Sequence, residues 1–327
     1  MAEPETIAVR PLSTRLANFP VSFFAVVMGL LGLVIATQKM EELLGIRDIV
    51  STVLLGIALL VFLVLACTYS LKLVRHPAAT WAEFDDPVRL SFFPTISVGL
   101  LLTSIAFLPL SKTTSLVFWL LGTVIHLVLT LVVLSMWVRQ PKFEIKHMNP
   151  AWFIPVVGNI LVPLAGVTHA PVQVSWFFFS IGVVFWLILQ TLFFYRAFFH
   201  HPLPERLLPT LFILLAPPAV AFVAYVKVTG AVDGFANVLY YFALFVFLFL
   251  IGQLGMLRKV RFFLSWWAYS FPLAAFTVAS VLMHRQTGLL FFEVVSWVIF
   301  VFLVAVILLL AVLTLRSVAR SQICVEE

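Results

Sequence analysis

The chain has 327 residues, of which 63% are hydrophobic and 10% are charged, and its formal net charge is +6. A mean hydropathy of +1.15 excludes an ordinary soluble domain and indicates an integral membrane protein. The positive charge does not indicate nucleic-acid binding, because the basic residues concentrate on one side of the predicted membrane topology.

Ten apolar segments are long enough to cross a bilayer as helices, since about 20 residues span its hydrocarbon core. In chain order they cover 18–38, 50–74, 90–110, 115–137, 152–168, 174–199, 207–228, 234–257, 262–283 and 289–315. We therefore expect an all-α membrane protein with cytoplasmic tails at 1–17 and 316–327 around a transmembrane domain at 18–315. We expect no cleavable signal peptide, because a polar leader precedes a first span longer than a typical signal sequence.

The distribution of basic residues predicts the orientation. With the N-terminus inside the cell, 15 of the 20 Lys and Arg residues fall in the tails and the cytoplasmic loops. The positive-inside rule therefore predicts that both termini are cytoplasmic and that the protein lies in the inner (plasma) membrane.

Prolines occur in every odd-numbered span and in none of the even-numbered ones. They include Pro20, then Pro94, then Pro155 and Pro163, then Pro209, Pro217 and Pro218, and lastly Pro272. Proline bends or breaks a helix, which a membrane tolerates where neighbours or a water-filled cavity satisfy the freed carbonyls. The alternation predicts five hairpins, each pairing an irregular inner helix with a regular outer helix around a pore.

These prolines differ in depth within their spans. Pro20, Pro155 and Pro209 lie near the start of a span, where proline is well tolerated. The deeper ones are the predicted inner-helix kinks, and they are Pro94, Pro163, Pro217, Pro218 and Pro272.

Ionisable side chains are almost absent from the middle of the spans, whereas proton- and sodium-coupled transporters generally keep such groups there. His126 lies in a predicted outer helix, and we interpret it as a neutral histidine hydrogen-bonded to a neighbouring helix. Glu293 lies near the start of the tenth span and is expected either at the interface or paired with a basic residue such as Arg285. The scarcity of ionisable groups along the enclosed path therefore favours passive transport.

No motif of an enzyme active site, a metal site or a cofactor site is recognisable, so we expect no enzymatic activity, metal or cofactor. The acidic cluster of Glu83, Asp85 and Asp86 is interpreted as a loop turn paired with Arg75 or Arg89. Cys67 and Cys324 are predicted in a span and in the cytoplasmic tail, so they are not expected to form a disulfide.

The inner spans carry small and weakly polar residues, which suit either a pore lining or tight helix packing. Those considered as pore lining are Ser22, Asn159, Ser270 and Thr277. A neutral, narrow and mildly polar tube suits ions that lose their hydration shell easily and bind loosely.

The ninth span contains a large ring beside a mid-helix proline. Phe271 precedes Pro272, whose missing N–H leaves the Ala268 carbonyl free. Such a ring can project into the space that the bend opens and can plug it. However, the chain has 34 Phe residues, and packing against lipid is the default for any one of them.

Several short motifs on the odd spans resemble one known family. They are Phe19-Pro20, Asp86-Pro87-Val88-Arg89-Leu90-Ser91-Phe92, Pro155-Val156-Val157-Gly158-Asn159, Ala216-Pro217 and Trp267-Ala268-Tyr269-Ser270-Phe271. Because of the order of these motifs and their placement on the odd spans, the whole chain resembles the tellurite-resistance/dicarboxylate transporter family. That family includes bacterial tellurite-resistance protein A and the slow anion channels of plant guard cells.

The resemblance implies ten helices in five hairpins with pseudo-fivefold symmetry, assembled as a homotrimer with one pore per subunit. It implies that Phe271 occludes the pore and that Phe92 and Phe93 lie near it. The long cytosolic tails of the plant channels have no counterpart here, so kinase control through them is not expected.

Two functions follow from the resemblance together with the residues. The first is a passive channel for small monovalent anions such as chloride and nitrate, gated by Phe271. The second is a proton-coupled carrier that exports C4-dicarboxylate, sulfite or tellurite oxyanions. The scarcity of charge in the inner spans favours the channel.

Overall fold

The computed structural model describes residues 12–257, 260–320 and 323–324, so parts of both predicted tails lie outside the described residues. Within the described residues, ten helices are long and apolar enough to cross a membrane, which confirms the predicted all-α membrane fold. The spans are Val21–Leu44, Ile49–Arg75, Arg89–Phe107, Lys112–Arg139, Pro150–His169, Val172–Phe199, Glu205–Thr229, Gly234–Gly252, Leu264–Thr287 and Leu290–Ala319.

Burial separates the spans into the two predicted populations. In the odd-numbered spans, 67–78% of the most apolar stretch is buried inside the protein, whereas in the even-numbered spans the share is 22–39%. A helix that is apolar all round and mostly exposed presents its side chains to lipid. The odd-numbered spans are therefore inner helices and the even-numbered spans are outer helices.

The inner helices are irregular in a common way. Each contains 3₁₀ turns, which are Val21–Phe23, Arg89–Phe92, Pro150–Trp152 with Gly158–Leu161, Glu205–Leu215 and Leu264–Tyr269. The α-helical parts that complete them are Phe24–Leu44, Thr95–Phe107, Val162–His169, Ala216–Thr229 and Ser270–Thr287. By contrast, Ile49–Arg75, Lys112–Arg139, Val172–Phe199 and Leu290–Ala319 are continuous α-helices.

The deep prolines mark the change from 3₁₀ to α geometry. Pro94 directly precedes its α segment, Pro163 and Pro217 are second in theirs, and Pro218 and Pro272 are third. The first turn of an α-helix accommodates proline because its N–H groups have no partner within the helix. These prolines therefore begin α segments, and each irregular inner helix combines 3₁₀ turns with α segments. The fifth helix has a further α segment, Phe153–Val157, between its two 3₁₀ turns.

The inner helices close into a ring. Each one contacts the next inner helix along the chain, and the ninth returns to contact the first. Each outer helix packs against its own hairpin partner on the outside of this ring. The pseudo-fivefold symmetry of the ring stays a prediction, although the neighbour order agrees with it.

Close contact between the first and ninth helices depends on one glycine. A Cβ atom at Gly29 would lie 2.2 Å from Ser270 Oγ and 2.9 Å from the Trp267 ring. No larger residue fits without moving these side chains, so glycine permits the contact that closes the ring.

Candidate functional site

A cavity of about 750 Å³ lies at the end of the bundle where the inner helices begin. Its wall includes the first turns of all five inner helices and the short helix Pro77–Asp85, which connects the second and third spans. The charged residues on its wall are Lys72, Glu83, Asp86, Arg89 and Arg206. We call this cavity the vestibule.

A second cavity of about 40 Å³ lies beyond the vestibule, further along the axis of the ring. All five inner helices line it, through Gly32 and Ile35, Leu102 and Ile105, Leu161 and Leu164, Val220 and Val223, and Phe271, Ala274, Ala275 and Val278. None of these side chains carries a charge or a hydroxyl group. We call it the distal cavity.

Three side chains line both cavities and therefore separate them. They are Leu161 of the fifth helix, Val220 of the seventh and Phe271 of the ninth. The Phe271 ring also faces the first helix, because a Cβ built on Gly32 would lie 3.5 Å from its Cδ2 atom. Phe271 thus lies where the vestibule ends, with inner helices on several sides of it.

Several predicted site residues lie on the vestibule wall. Ser22 and Phe92 are on it, as are Ala268 and Pro272 beside Phe271. Because Pro272 has no N–H, it cannot bond the Ala268 carbonyl, as the sequence predicted. The 3₁₀ turns Leu264–Tyr269 include Ala268 and end directly before the α-helix Ser270–Thr287, which carries Phe271 and Pro272.

Three residues predicted to line the pore do not reach it. Asn159, Ser270 and Thr277 are each 0% exposed, whereas a side chain on a cavity wall has exposed surface. Asn159 donates to Thr130 Oγ1 of the fourth helix at 3.0 Å, and Ser270 Oγ donates to the Trp267 carbonyl at 2.6 Å. In this structure these small polar residues serve helix packing and not a cavity wall.

Phe93 is likewise placed away from both cavities. Its ring packs edge-to-face on Phe84 at 4.8 Å and on Tyr69 at 6.2 Å between centroids. It therefore joins the third helix to the second helix and to Pro77–Asp85, and only its neighbour Phe92 faces the vestibule.

A buried ion pair fixes one side of the vestibule. Lys72 Nζ lies 2.6 Å from Glu83 Oε2, and both side chains are 3% exposed. Glu83 also accepts hydrogen bonds from the Tyr69 hydroxyl at 3.0 Å and from the Val21 N–H at 2.6 Å. Lys72 also donates to the Phe19 carbonyl at 2.8 Å. The network joins the start of the first inner helix to the second helix.

Two carboxylates of the acidic cluster form ion pairs with lysines. Glu83 pairs with Lys72, and Asp85 pairs with Lys142. Asp86 Oδ1 accepts from the backbone N–H groups of Val88 and Arg89 at 2.9 and 2.8 Å. Lys72 lies in the last turn of the second helix, so its meeting with Glu83 depends on how Pro77–Asp85 folds back.

Two other titratable residues can be compared with their predictions. His126 Nδ1 lies 2.8 Å from Ser97 Oγ of the third helix, which confirms the hydrogen bond to a neighbouring helix. Glu293 lies 3.7 Å from His284 Nε2 and is partly exposed, whereas Arg285 pairs with Glu42. Arg285 is drawn to the first helix because the ninth and first helices are neighbours in the ring.

The ring of inner helices contains two cavities in line, and three apolar side chains separate them. This arrangement is that of a multi-pass membrane protein of the channel or transporter class. Residues 18–315 match the family model described as SLAC1, voltage-dependent anion channel. The chain belongs to this family, whose members are anion channels and transporters.

Individual relatives agree with this assignment. An uncharacterized transporter of Methanocaldococcus jannaschii, MJ0762, is 29% identical over 88% of this chain and 90% of its own length. The S-type anion channel SLAH2 of Arabidopsis thaliana is 29% identical over 81% of this chain, but this region is only 53% of that protein. A tellurite resistance protein TehA homolog of Haemophilus influenzae is 26% identical over 94% of both chains.

Proposed function

We propose that the protein is a passive channel for small monovalent anions such as chloride and nitrate, and that Phe271 holds it closed. The observation that carries this proposal is the position of Phe271 between the vestibule and the distal cavity. Because Phe271 lines both cavities, removing its ring would join them along the ring of inner helices.

The chemistry around Phe271 supports a hydrophobic gate. The residues that line both cavities are Leu161, Val220 and Phe271, and the rest of the distal lining is also apolar. Hydrophobic constrictions close a pore by excluding water, and a wider apolar bore favours ions that lose hydration water easily. Chloride and nitrate fit this requirement better than strongly hydrated divalent ions.

The same lining argues against the alternative, a proton-coupled carrier for C4-dicarboxylate, sulfite or tellurite oxyanions. Coupling needs a group that changes charge or binds an ion on the transport path. Among the described residues that line the distal cavity, none is ionisable. The ionisable residues of the vestibule lie on the other side of Phe271, and Lys72 and Glu83 are bonded to each other.

The assembly and orientation are part of the proposal. We place the protein in the plasma membrane, with both termini and the vestibule on the cytoplasmic side, because basic residues concentrate at that end. We also propose a homotrimer in which each subunit has its own pore. Mass measurement in nanodiscs tests the trimer, and a monomer or dimer there would contradict it.

The test of the gate compares two Phe-to-Ala variants in planar bilayers. Phe271→Ala should increase the anion current severalfold, because it opens the partition between the cavities. Phe291→Ala is the matched control, since Phe291 is 54% exposed on the tenth helix and faces away from the cavities. Equal currents for wild type and a folded Phe271→Ala protein would overturn the proposal.

A further inference from the structure

Three basic residues meet at the end of the bundle opposite the vestibule. Lys39, Lys227 and Arg285 come from the first, seventh and ninth inner helices. Lys39 Nζ lies 2.7 Å from Glu42 Oε2, and Arg285 bonds to the other oxygen of the same carboxylate. Lys227 Nζ donates to the Leu164 carbonyl of the fifth helix at 2.9 Å. We call Lys39, Lys227 and Arg285 the basic cluster.

Helical spacing connects the first two of these residues to the distal cavity. Lys39 follows Ile35 by four residues, and Lys227 follows Val223 by four. Ile35 and Val223 both line the distal cavity, and residues four apart lie on the same face of an α-helix. Lys39 and Lys227 therefore stand one turn beyond the apolar lining, on the face that lines the pathway.

Arg285 has the same relation to its own helix. It follows Val278, another distal lining residue, by seven residues, which is two turns on the same face. The Leu164 residue that accepts from Lys227 is itself part of the distal lining. All three members of the basic cluster thus belong to the mouth of the distal cavity.

The cluster occupies three of the five inner helices around the mouth. The ninth helix lies between the first and the seventh in the ring and contacts both. Arg285 of the ninth helix bonds to Glu42 of the first, and Lys227 of the seventh reaches the fifth helix at Leu164. The three cations therefore stand around the mouth of the distal cavity and not on one helix.

Few carboxylates stand beside the cluster on the inner helices. Glu42 is shared by Lys39 and Arg285, and Glu41 is 3% exposed and accepts from the N–H groups that begin the second helix. Asp48, Asp233 and Glu293 stand at the starts of the second, eighth and tenth helices, which are outer helices. Glu41 and Glu42 are fewer than the three cations, so the inner helices keep a net positive charge at this end.

We propose that the basic cluster is an anion-collecting site that supplies small inorganic monovalent anions to the distal cavity. This inference rests on the proposed channel function. A charge of one sign at the mouth of a low-dielectric path raises the local concentration of counter-ions. The apolar distal lining offers no attraction for anions, so the basic cluster provides the electrostatic preference for anions over cations on this side.

The test removes the charge at position 227 by mutation to cysteine and restores it by chemical modification. In a Phe271→Ala background with Cys67 and Cys324 replaced by Ser, Lys227→Cys should lower the anion current entering from the distal side by about threefold or more, because steered entry depends strongly on local charge. A positively charged methanethiosulfonate reagent should restore the current, and a negatively charged reagent of similar size should lower it further. Both reagents act on the same folded protein, so misfolding does not explain opposite effects.

Lys112→Cys is the matched control, because Lys112 begins the fourth, outer helix at the same end. Its modification should leave the current unchanged. Equal effects of the two reagents at position 227, or an unchanged current in Lys227→Cys, would overturn this inference while leaving the channel intact. Absence of current in the Phe271→Ala background itself would instead overturn the channel proposal, and this inference with it.

Discussion

The two sides of Phe271 differ in size and in the interactions that form them. The vestibule encloses about 750 Å³ and has five charged residues on its wall, whereas the distal cavity encloses about 40 Å³ and has an apolar wall. Entry into the vestibule is therefore expected to be easy. Resistance to ion flow should arise at Phe271 and in the distal cavity.

The difference follows from the construction of the inner helices. Their 3₁₀ parts lie toward the vestibule, and their α parts form the distal half of the ring. Small residues such as Gly32, Ala274 and Ala275 let the α parts approach closely. The deep prolines thus divide the third, fifth, seventh and ninth helices into a half that surrounds a wide space and a half that packs tightly.

The largest expected effect comes from the polar network of the vestibule. Glu83→Gln would leave Lys72 as a buried, uncompensated cation, and breaking such a pair costs about 3–5 kcal/mol. We expect a clear loss of thermal stability in detergent, measured by fluorescence-detected size exclusion. Glu144→Gln is the control, because its ion pair with Lys146 is exposed and should be dispensable. Equal stability of the two variants would show that the network does not support the vestibule.

Adding side-chain volume on each side of Phe271 tests the size difference. In the Phe271→Ala background, Ala275→Leu places three further carbon atoms in the distal cavity and should reduce the current at least about tenfold, because a narrowed apolar bore loses its water. Ala268→Leu makes the same change on the vestibule wall and should have little effect. Single-channel conductance measures both. Similar reductions from the two variants would contradict the assignment of the resistance to the distal side.

The smallest expected effect concerns the partners of Phe271. Leu161→Ala and Val220→Ala each shorten one side chain that lines both cavities, but they leave the larger Phe271 ring in place. We expect each variant to increase the anion current by about twofold to threefold, which is less than Phe271→Ala, because the constriction is only partly widened. An increase equal to that of Phe271→Ala would mean that the ring is not the principal barrier.

Much of the fold could be predicted from composition and proline placement. Hydropathy was sufficient to predict the ten spans, because each membrane crossing requires a long apolar segment that few other structures need. The alternating prolines indicated the inner helices because an irregular backbone is tolerated only where protein or water covers it. The sequence did not show that Pro94 and Pro272 begin α segments after 3₁₀ turns, because local dihedral angles depend on packing.

The lining of the site was harder to predict. Leu161 and Val220 carry no signal that distinguishes them from other apolar residues of inner helices. Asn159 and Ser270 were assigned to the pore by residue type, but they face neighbouring helices instead. The face that a residue presents depends on helix rotation, which composition does not determine. Phe271 was indicated by its proline neighbour and by family resemblance rather than by periodicity.

Once the Phe271 ring is removed, the pathway should conduct ions passively and select for anions. The most direct measurement is the reversal potential of Phe271→Ala in planar bilayers under a chloride gradient, with and without an opposing pH gradient. A passive anion channel should reverse at the chloride equilibrium potential at every pH difference. A reversal potential that shifts with the pH gradient, or uphill chloride flux driven by it, would overturn the passive channel and favour a proton-coupled carrier.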